Sequence, residues 1–202
     1  LVEFFPESFD KLKRDQGLFN GPQPVLIESC SFSDLALILR GNCQKIKFGA
    51  DQVIMVVDDA SRDSISKEFK HVLILTIYEA KGLEFDDVIL YNFFKDSLAS
   101  KEWRLVTSYL EQLSTIEKVS LLGTASESLV EIDAAVLMQE GRPRPLTFDP
   151  NQHKVLNSEL KLLYTSLTRA RSNIWIFDED PQKRAPMCEY FKSRQLVRCP
   201  SV

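Results

Sequence analysis

The chain has 202 residues, 44% hydrophobic and 27% charged, with a formal net charge of −4. That length can bury a sizeable core, and the composition is that of an ordinary globular protein rather than a disordered or fibrous one. The acidic balance removes bulk charge as an argument for a nucleic-acid partner, which would have to rest on a local patch.

From the start, Leu1 to Gly21 mixes the aromatics Phe4, Phe5, Phe9 and Phe19 with charges and closes on the turn signal Asn20-Gly21-Pro22. Residues 24–28 read as a short strand, 31–39 as a helix with Ser33 as a candidate cap, and 47–50 as a loop. Val53 to Val57 is an unbroken apolar run ended by Asp58-Asp59. A run with no polar face suits the buried middle of a parallel sheet. A polar helix or loop is expected over 60–69, and two further buried strands over 72–76 and 88–91. Leu105, Tyr109 and Leu110 give helical spacing to 103–116.

Residues 117–150 are mixed in polarity and hold the tract Gly141-Arg142-Pro143-Arg144-Pro145. They read as an insertion with at most a helix near 132–138. Asn157 or Ser158 then caps a helix through Ala170, followed by a strand over 173–177, a short helix around 188–192 and a tail. Strands alternating with helices indicate an α/β layered fold. The expected organisation is an N-terminal extension over 1–22, the domain over 23–180 with its insertion at 117–150, and a C-terminal tail over 181–202.

The cysteines Cys30, Cys43, Cys188 and Cys199 have no C-x-x-C spacing, and His71 and His153 stand near no cysteine cluster. Scattered thiols in a reducing compartment fit better than zinc ligation. No stretch approaches the ~18 apolar residues of a membrane span, and no signal-peptide pattern opens the chain. With Leu1 rather than Met at its start, the chain is expected to be a piece of a larger intracellular protein, nuclear or cytoplasmic, without a membrane partner.

Two segments carry charges that a packed core does not require. In the helix expected over 158–170, Leu160, Leu163 and Leu167 form the apolar stripe. Arg169 lies about 900°, that is about 180°, from Leu160 and shares the far side with Thr165. A solvated arginine favoured by the helix dipole satisfies that geometry as well as a functional one does. Lys81-Gly82-Leu83-Glu84 follows an expected buried strand, where functional groups gather outside the carboxyl ends of open sheets. Gly82 permits a sharp turn or a close ligand approach. Lys81 suits a phosphate and Glu84 a ribose hydroxyl, although an ordinary strand-exit turn has the same residues.

Together the two segments match a specific pattern. Thr76-Ile77-Tyr78-Glu79-Ala80-Lys81-Gly82-Leu83-Glu84-Phe85 resembles motif V of superfamily 1A helicases, the UvrD/PcrA/Rep group. Leu163-Tyr164-Thr165-Ser166-Leu167-Thr168-Arg169-Ala170 resembles motif VI of the same group. The chain is most similar to the UvrD-like module of large animal proteins that carry tetratricopeptide and ankyrin repeats (lupus brain antigen-like). The resemblance covers about residues 50–180 and implies the C-terminal RecA-like motor domain, 2A.

By that resemblance, Arg169 is the arginine finger that meets the γ-phosphate of ATP. Glu84 lies near the ribose, Gly82 and Lys81 beside the phosphates, and Tyr164 toward the motor interface. Thr76 and Tyr78 face single-stranded nucleic acid, with Tyr78 in place of the usual His; an aromatic there can stack on a base. The chain has no G-x-x-x-x-G-K-[ST] and no Walker B pair, since neither Asp58-Asp59 nor Asp86-Asp87 is that motif. The N-Y-R-S motif IV is also absent and is expected upstream. ATP is therefore expected to be held between this chain and an upstream RecA-like domain, which supplies the P-loop and the Mg2+ site, so that the chain alone does not hydrolyse ATP.

A rival reading is a degenerate helicase fold used as a scaffold, favoured by the acidic balance, Tyr78 and the insertion. A free-standing Rossmann-type enzyme is a poor reading, since no G-x-G-x-x-G turn follows any expected strand and the chain holds 7 glycines.

Overall fold

The computed structural model describes residues 4–5, 21–28, 51–65, 69, 72–122 and 147–199. Its strands are β1 (Val25–Ile27), β2 (Gln52–Val56), β3 (Ile74–Thr76), β4 (Phe85–Tyr91) and β5 (Ala170–Phe177). Its helices are α1 (Asp59–Ser64), α2 (Phe93–Asp96), α3 (Arg104–Leu122), α4 (Lys154–Leu167) and α5 (Pro181–Ser193). The strands form one parallel sheet in the order β1-β5-β4-β2-β3, flanked by helices, which is the expected α/β layering.

Side-chain alternation along the strands explains the unbroken apolar runs. Val53 and Met55 of β2, Val88 and Leu90 of β4, and Ile174 and Ile176 of β5 enter the larger core. Ile54 and Val56, Ile89 and Tyr91, and Phe177 enter a smaller one. With both faces covered, neither set of alternate positions tolerates polarity. The larger core also takes Leu156, Leu160 and Leu163 of α4, Trp103 and Leu105 beside and within α3, and Met187, Cys188 and Phe191 of α5.

The elements differ from expectation mainly at their ends. β4 and β5 start at Phe85 and Ala170, ahead of their apolar runs, because polar side chains there pair across the strands. Asp87 accepts from Gln52 at 2.8 Å and from Asn173 at 2.7 Å, and Arg171 pairs with Asp86 at 2.9 Å. α4 begins at Lys154, with the distant Glu102 carboxylate accepting the Leu156 N–H at 3.0 Å. It stops at Leu167 because Ala170 is already paired with Phe85 in the sheet. α3 runs on to Leu122, into the expected insertion. The helices expected at 31–39 and 132–138 and the loop at 47–50 lie outside the described residues.

Both flanks of the expected domain contribute to its packing. Phe4 and Phe5, placed in an extension by the sequence, are buried against Phe148, and Phe4 also packs on Tyr109 and Tyr190. The expected short helix and tail form a thirteen-residue helix instead. Asp180 caps α5 by accepting from the N–H groups of Gln182 and Lys183, with Pro181 at the first turn. Beyond α5, Arg198 donates its N–H to Pro24 and accepts from Leu26, so the chain end covers the outer edge of β1.

Candidate functional site

β3 and β4 are parallel, so the chain leaving the carboxyl end of β3 at Thr76 must return to the amino end of β4 at Phe85. Residues 77–84 make that return. The first part is one tight turn of helical character, in which Ala80 donates to Thr76, Lys81 to Tyr78 and Leu83 to Ala80. Thr76-x-x-Glu79 closes its start as a capping box. The Glu79 carboxylate accepts the Thr76 N–H at 2.8 Å, and Thr76 Oγ1 accepts the Glu79 N–H at 3.2 Å. Gly82 ends it at φ 85°, a left-handed conformation that a Cβ penalises. Among the described residues beyond its two chain neighbours, no atom lies within 4 Å of where a Cβ would stand, so the demand is conformational rather than steric.

This geometry corrects the position expected for Lys81-Gly82-Leu83-Glu84. The segment does not collect outside the carboxyl ends of the strands. It runs back to the amino ends, where Glu84 immediately precedes Phe85, and both Lys81 and Glu84 are exposed.

The helical-angle placement of Arg169 also needs correction. Arg169 lies past the C-cap Thr168, in the turn between α4 and β5, rather than on the far side of a helix. Its Nε donates to the Thr165 carbonyl at 3.2 Å, Nη1 to the Leu83 carbonyl at 3.2 Å, and Nη2 to Thr168 Oγ1 at 3.3 Å. Its own carbonyl accepts the Phe85 N–H at 2.9 Å. The guanidinium is partly exposed, and among the described residues it has no carboxylate within ion-pair distance. By contrast Arg62, Lys95, Arg171 and Lys192 all have one. Tyr164, exposed on the last turn of α4, gives its carbonyl to the Thr168 N–H. The amino edge thus brings together Gly82, Leu83, Glu84 and Arg169 beside the end of the helix that bears Tyr164.

Thr76 and Tyr78 lie at the other end of the return. Thr76 is buried, and its hydroxyl is taken up between the Glu79 carboxylate and the Glu79 N–H. Tyr78 projects outward and is 67% exposed. Two residues that the sequence reading did not single out organise this end. Glu79 accepts from Arg62 of α1 through both carboxylate oxygens, at 2.9 and 2.8 Å. Arg62 also pairs with Asp59. The Thr76 N–H, and then Arg62, hold the Glu79 carboxyl below its usual range. The Thr-x-x-Glu spacing was the signal for the first half of this arrangement; nothing local in the sequence pointed to Arg62.

Other perturbed carboxyls serve the fold. Burial pushes Asp178 up, although it accepts from the N–H groups of Phe94 and Lys95 at the start of α2. Burial also pushes Glu159 up, opposed by a hydrogen bond from Ser97, and one carboxylate oxygen is unmatched among the described residues. Burial opposes the charge of Glu179, but Lys95, Asn92 and Tyr91 outweigh it and hold the group low. Among the described residues there is no grouping of His, Cys, Asp and Glu able to hold a metal ion. No described helix is long and apolar enough to cross a membrane.

Residues 52–178 match the family model of the UvrD-like helicase C-terminal domain. The chain belongs to that family. Its parallel sheet with flanking helices is accordingly the RecA-like fold of such domains. The chain is 49% identical over 203 residues to human TPR and ankyrin repeat-containing protein 1, a match covering 96% of this chain and 6% of that protein. It is 26% identical over 125 residues to exonuclease/helicase subunit RexA of Lactococcus lactis subsp. cremoris strain MG1363, covering 56% of this chain and 10% of the relative. The same figures hold for an ATP-dependent helicase/nuclease of strain SK11. The chain therefore spans only a small part of each relative's length. No solved structure gives a significant match.

Proposed function

We propose that this UvrD-like domain is the second motor domain, 2A, of an ATP-dependent helicase or translocase acting on single-stranded nucleic acid. The observation that carries the reading is the state of Arg169. Its guanidinium sits at the amino edge with only neutral acceptors at 3.2–3.3 Å, beside the glycine turn that leads to Glu84. A guanidinium without a carboxylate is suited to an incoming phosphate, which it grips through forked donors. These residues fit one wall of an ATP site. Arg169 would meet the terminal phosphate, Lys81 and the backbone at Gly82 the phosphate side, Glu84 a ribose hydroxyl, and Tyr164 the neighbouring motor domain. ATP supplies the phosphoryl transfer whose energy drives movement. Arg169 stabilises charge that develops on the transferred group, an effect worth ~10³–10⁵ in rate in comparable sites.

The other wall, with its P-loop and Mg2+ ligands, belongs to an upstream RecA-like domain. The strand of nucleic acid runs at the carboxyl edge, where Tyr78 offers a stacking face and Thr76 sets the turn that presents it. The motor works inside the cell, in nucleus or cytoplasm, in keeping with the free thiols of Cys188 and Cys199. The test is Arg169→Ala in a longer chain that includes the upstream domain. Nucleic-acid-stimulated ATP turnover should be abolished with the circular-dichroism spectrum unchanged; undiminished turnover would refute the assignment.

A scaffold without ATPase activity is the second reading. It is favoured by the carboxyl edge, where the cations Arg62 and Lys95 are both already paired with carboxylates. Single-strand binding measured against salt separates the two, because true phosphate contacts weaken steeply as salt rises.

A further inference from the structure

We infer that Arg62 is a positioning residue: its bond to Glu79 fixes the turn that presents Tyr78, and so sets how well the domain engages a single strand. The inference rests on the motor reading and adds to it a residue from a different element.

The geometry runs in a chain. Asp58 caps α1 by accepting the Ser61 N–H and hydroxyl, each at 2.8 Å, which orients the helix that bears Arg62. Arg62 Nη1 reaches both oxygens of Glu79, which stands 17 positions later in sequence on the return from β3. The same carboxylate accepts the N–H and the hydroxyl of Thr76, the last residue of β3. Tyr78 lies inside this loop of bonds, between Thr76 and Glu79, with its ring in solvent.

A single turn of helix is unstable by itself, since nucleation fixes several residues for one hydrogen bond. This one is held at its end by the left-handed Gly82 and at its start by the capping box. Without Arg62, the Glu79 carboxylate loses its charge partner and is freer to leave Thr76 for water. The turn would then fray, and Tyr78 would sample many directions. An aromatic stacks well only when its orientation is fixed in advance, because ordering it on binding costs affinity. Arg62 is about one-third exposed, which limits the strength of the pair. The expected effect is therefore a graded weakening rather than a loss.

The experiment uses a longer chain that includes the upstream motor domain, with oligo-dT and oligo-U as probes. Arg62→Ala should raise the single-strand concentration for half-maximal ATP turnover by about threefold to fivefold, as for a partly exposed pair. Basal turnover without nucleic acid should not change. Arg62→Lys, which keeps the charge, should recover part of the shift. Glu79→Gln should shift it at least as far, and the double variant should be no worse than Glu79→Gln alone, because Arg62 reaches the turn through that carboxylate. An unshifted Arg62→Ala curve, with Tyr78→Ala shifting its own, would overturn the inference while leaving the motor reading intact. Hydrogen exchange at the Thr76 amide decides the positioning step even where no turnover is found. Faster exchange in Arg62→Ala supports it, and unchanged exchange overturns it.

Discussion

Arg169 donates to the backbone carbonyl of Leu83 across 86 positions of sequence, so the turn entering β5 and the turn entering β4 are one linked structure. The link is doubled by the backbone bond from Phe85 to the Arg169 carbonyl. A ligand that draws the guanidinium away must break the side-chain bond but leaves the backbone bond in place. The Gly82 turn can therefore respond to the arginine without separating from the sheet.

Arg169→Lys should separate chemistry from architecture. Lysine keeps the charge but loses the fork that meets Thr165, Leu83 and Thr168 together. The bonds are long and lie near the surface, so the isolated domain should lose about 1 kcal/mol, read by urea denaturation. Under the proposed motor role, turnover of a longer chain that includes the upstream domain should fall by about a thousandfold or more, as for loss of an arginine finger. A stability loss with full turnover would point to a purely structural arginine.

Gly82→Ala tests the left-handed turn. Space is open around the position, so the expected cost is that of forcing an L-residue into this conformation, about 1–2 kcal/mol. Gly82→Asn should cost less, since asparagine tolerates the region better. Equal denaturation midpoints for all three proteins would show that the turn relaxes freely.

Glu159 predicts a pH dependence. Its folded value is raised, chiefly by burial, so the neutral acid is the form the fold prefers. The stability it contributes is complete below its unfolded value and is lost as pH rises through the folded one. Wild-type stability should thus decline as pH rises above the ordinary carboxylate range, and Glu159→Gln should flatten that decline. Parallel curves for the two proteins would remove Glu159 as the cause. Glu79 runs the other way. Its lowered value means that its contribution is present above the unfolded value and is lost as pH falls through the folded one, so protection of the Thr76 amide should disappear in acid.

Arg184 holds the carboxyl ends of two strands together. It is buried on α5 and donates to the carbonyls of Asp178, just past β5, and of Glu28, just past β1, the latter at 3.0 Å. Arg184→Met should cost about 3 kcal/mol by leaving the Asp178 and Glu28 carbonyls short of a donor at a buried position. Thermal unfolding followed by circular dichroism reads the change, and a midpoint equal to wild type would contradict it.

The middles of β2, β4 and β5 were legible because a strand buried on both faces has no choice but apolar residues. Their amino ends were not, because Asp87 and Arg171 look like loop residues until Gln52 and Asp86 are known to pair with them across the sheet. The side of α4 that carries Leu160 and Leu163 was legible from spacing. Arg169 was misplaced because angular reasoning assumes the helix continues, whereas pairing of Ala170 with Phe85 pulls the chain into the sheet. α5 was shortened because Met187, Cys188 and Phe191 are its buried apolar residues amid charges, with Pro186 among them. Of the candidate site, the glycine turn and the arginine could be read from two short motifs. The Arg62–Glu79 bond could not, since it depends on how α1 and the β3 exit meet in space.

The position of β4 beside β5 has a consequence for how the molecule comes into being. The register from Phe85 opposite Ala170 to Tyr91 opposite Phe177 joins segments far apart in the chain, at the centre of the sheet. Pairings of such separation are slow to form, because a large loop must close before any contact rewards it. A polypeptide emerging from the ribosome can assemble β2, β3 and β4 early, but it then exposes one whole edge of β4 until residue 177 has been made. An unsatisfied central edge of that kind is a template for pairing with other chains. The protein is therefore most vulnerable to aggregation during synthesis, and Arg169 arrives with the strand that ends the exposure.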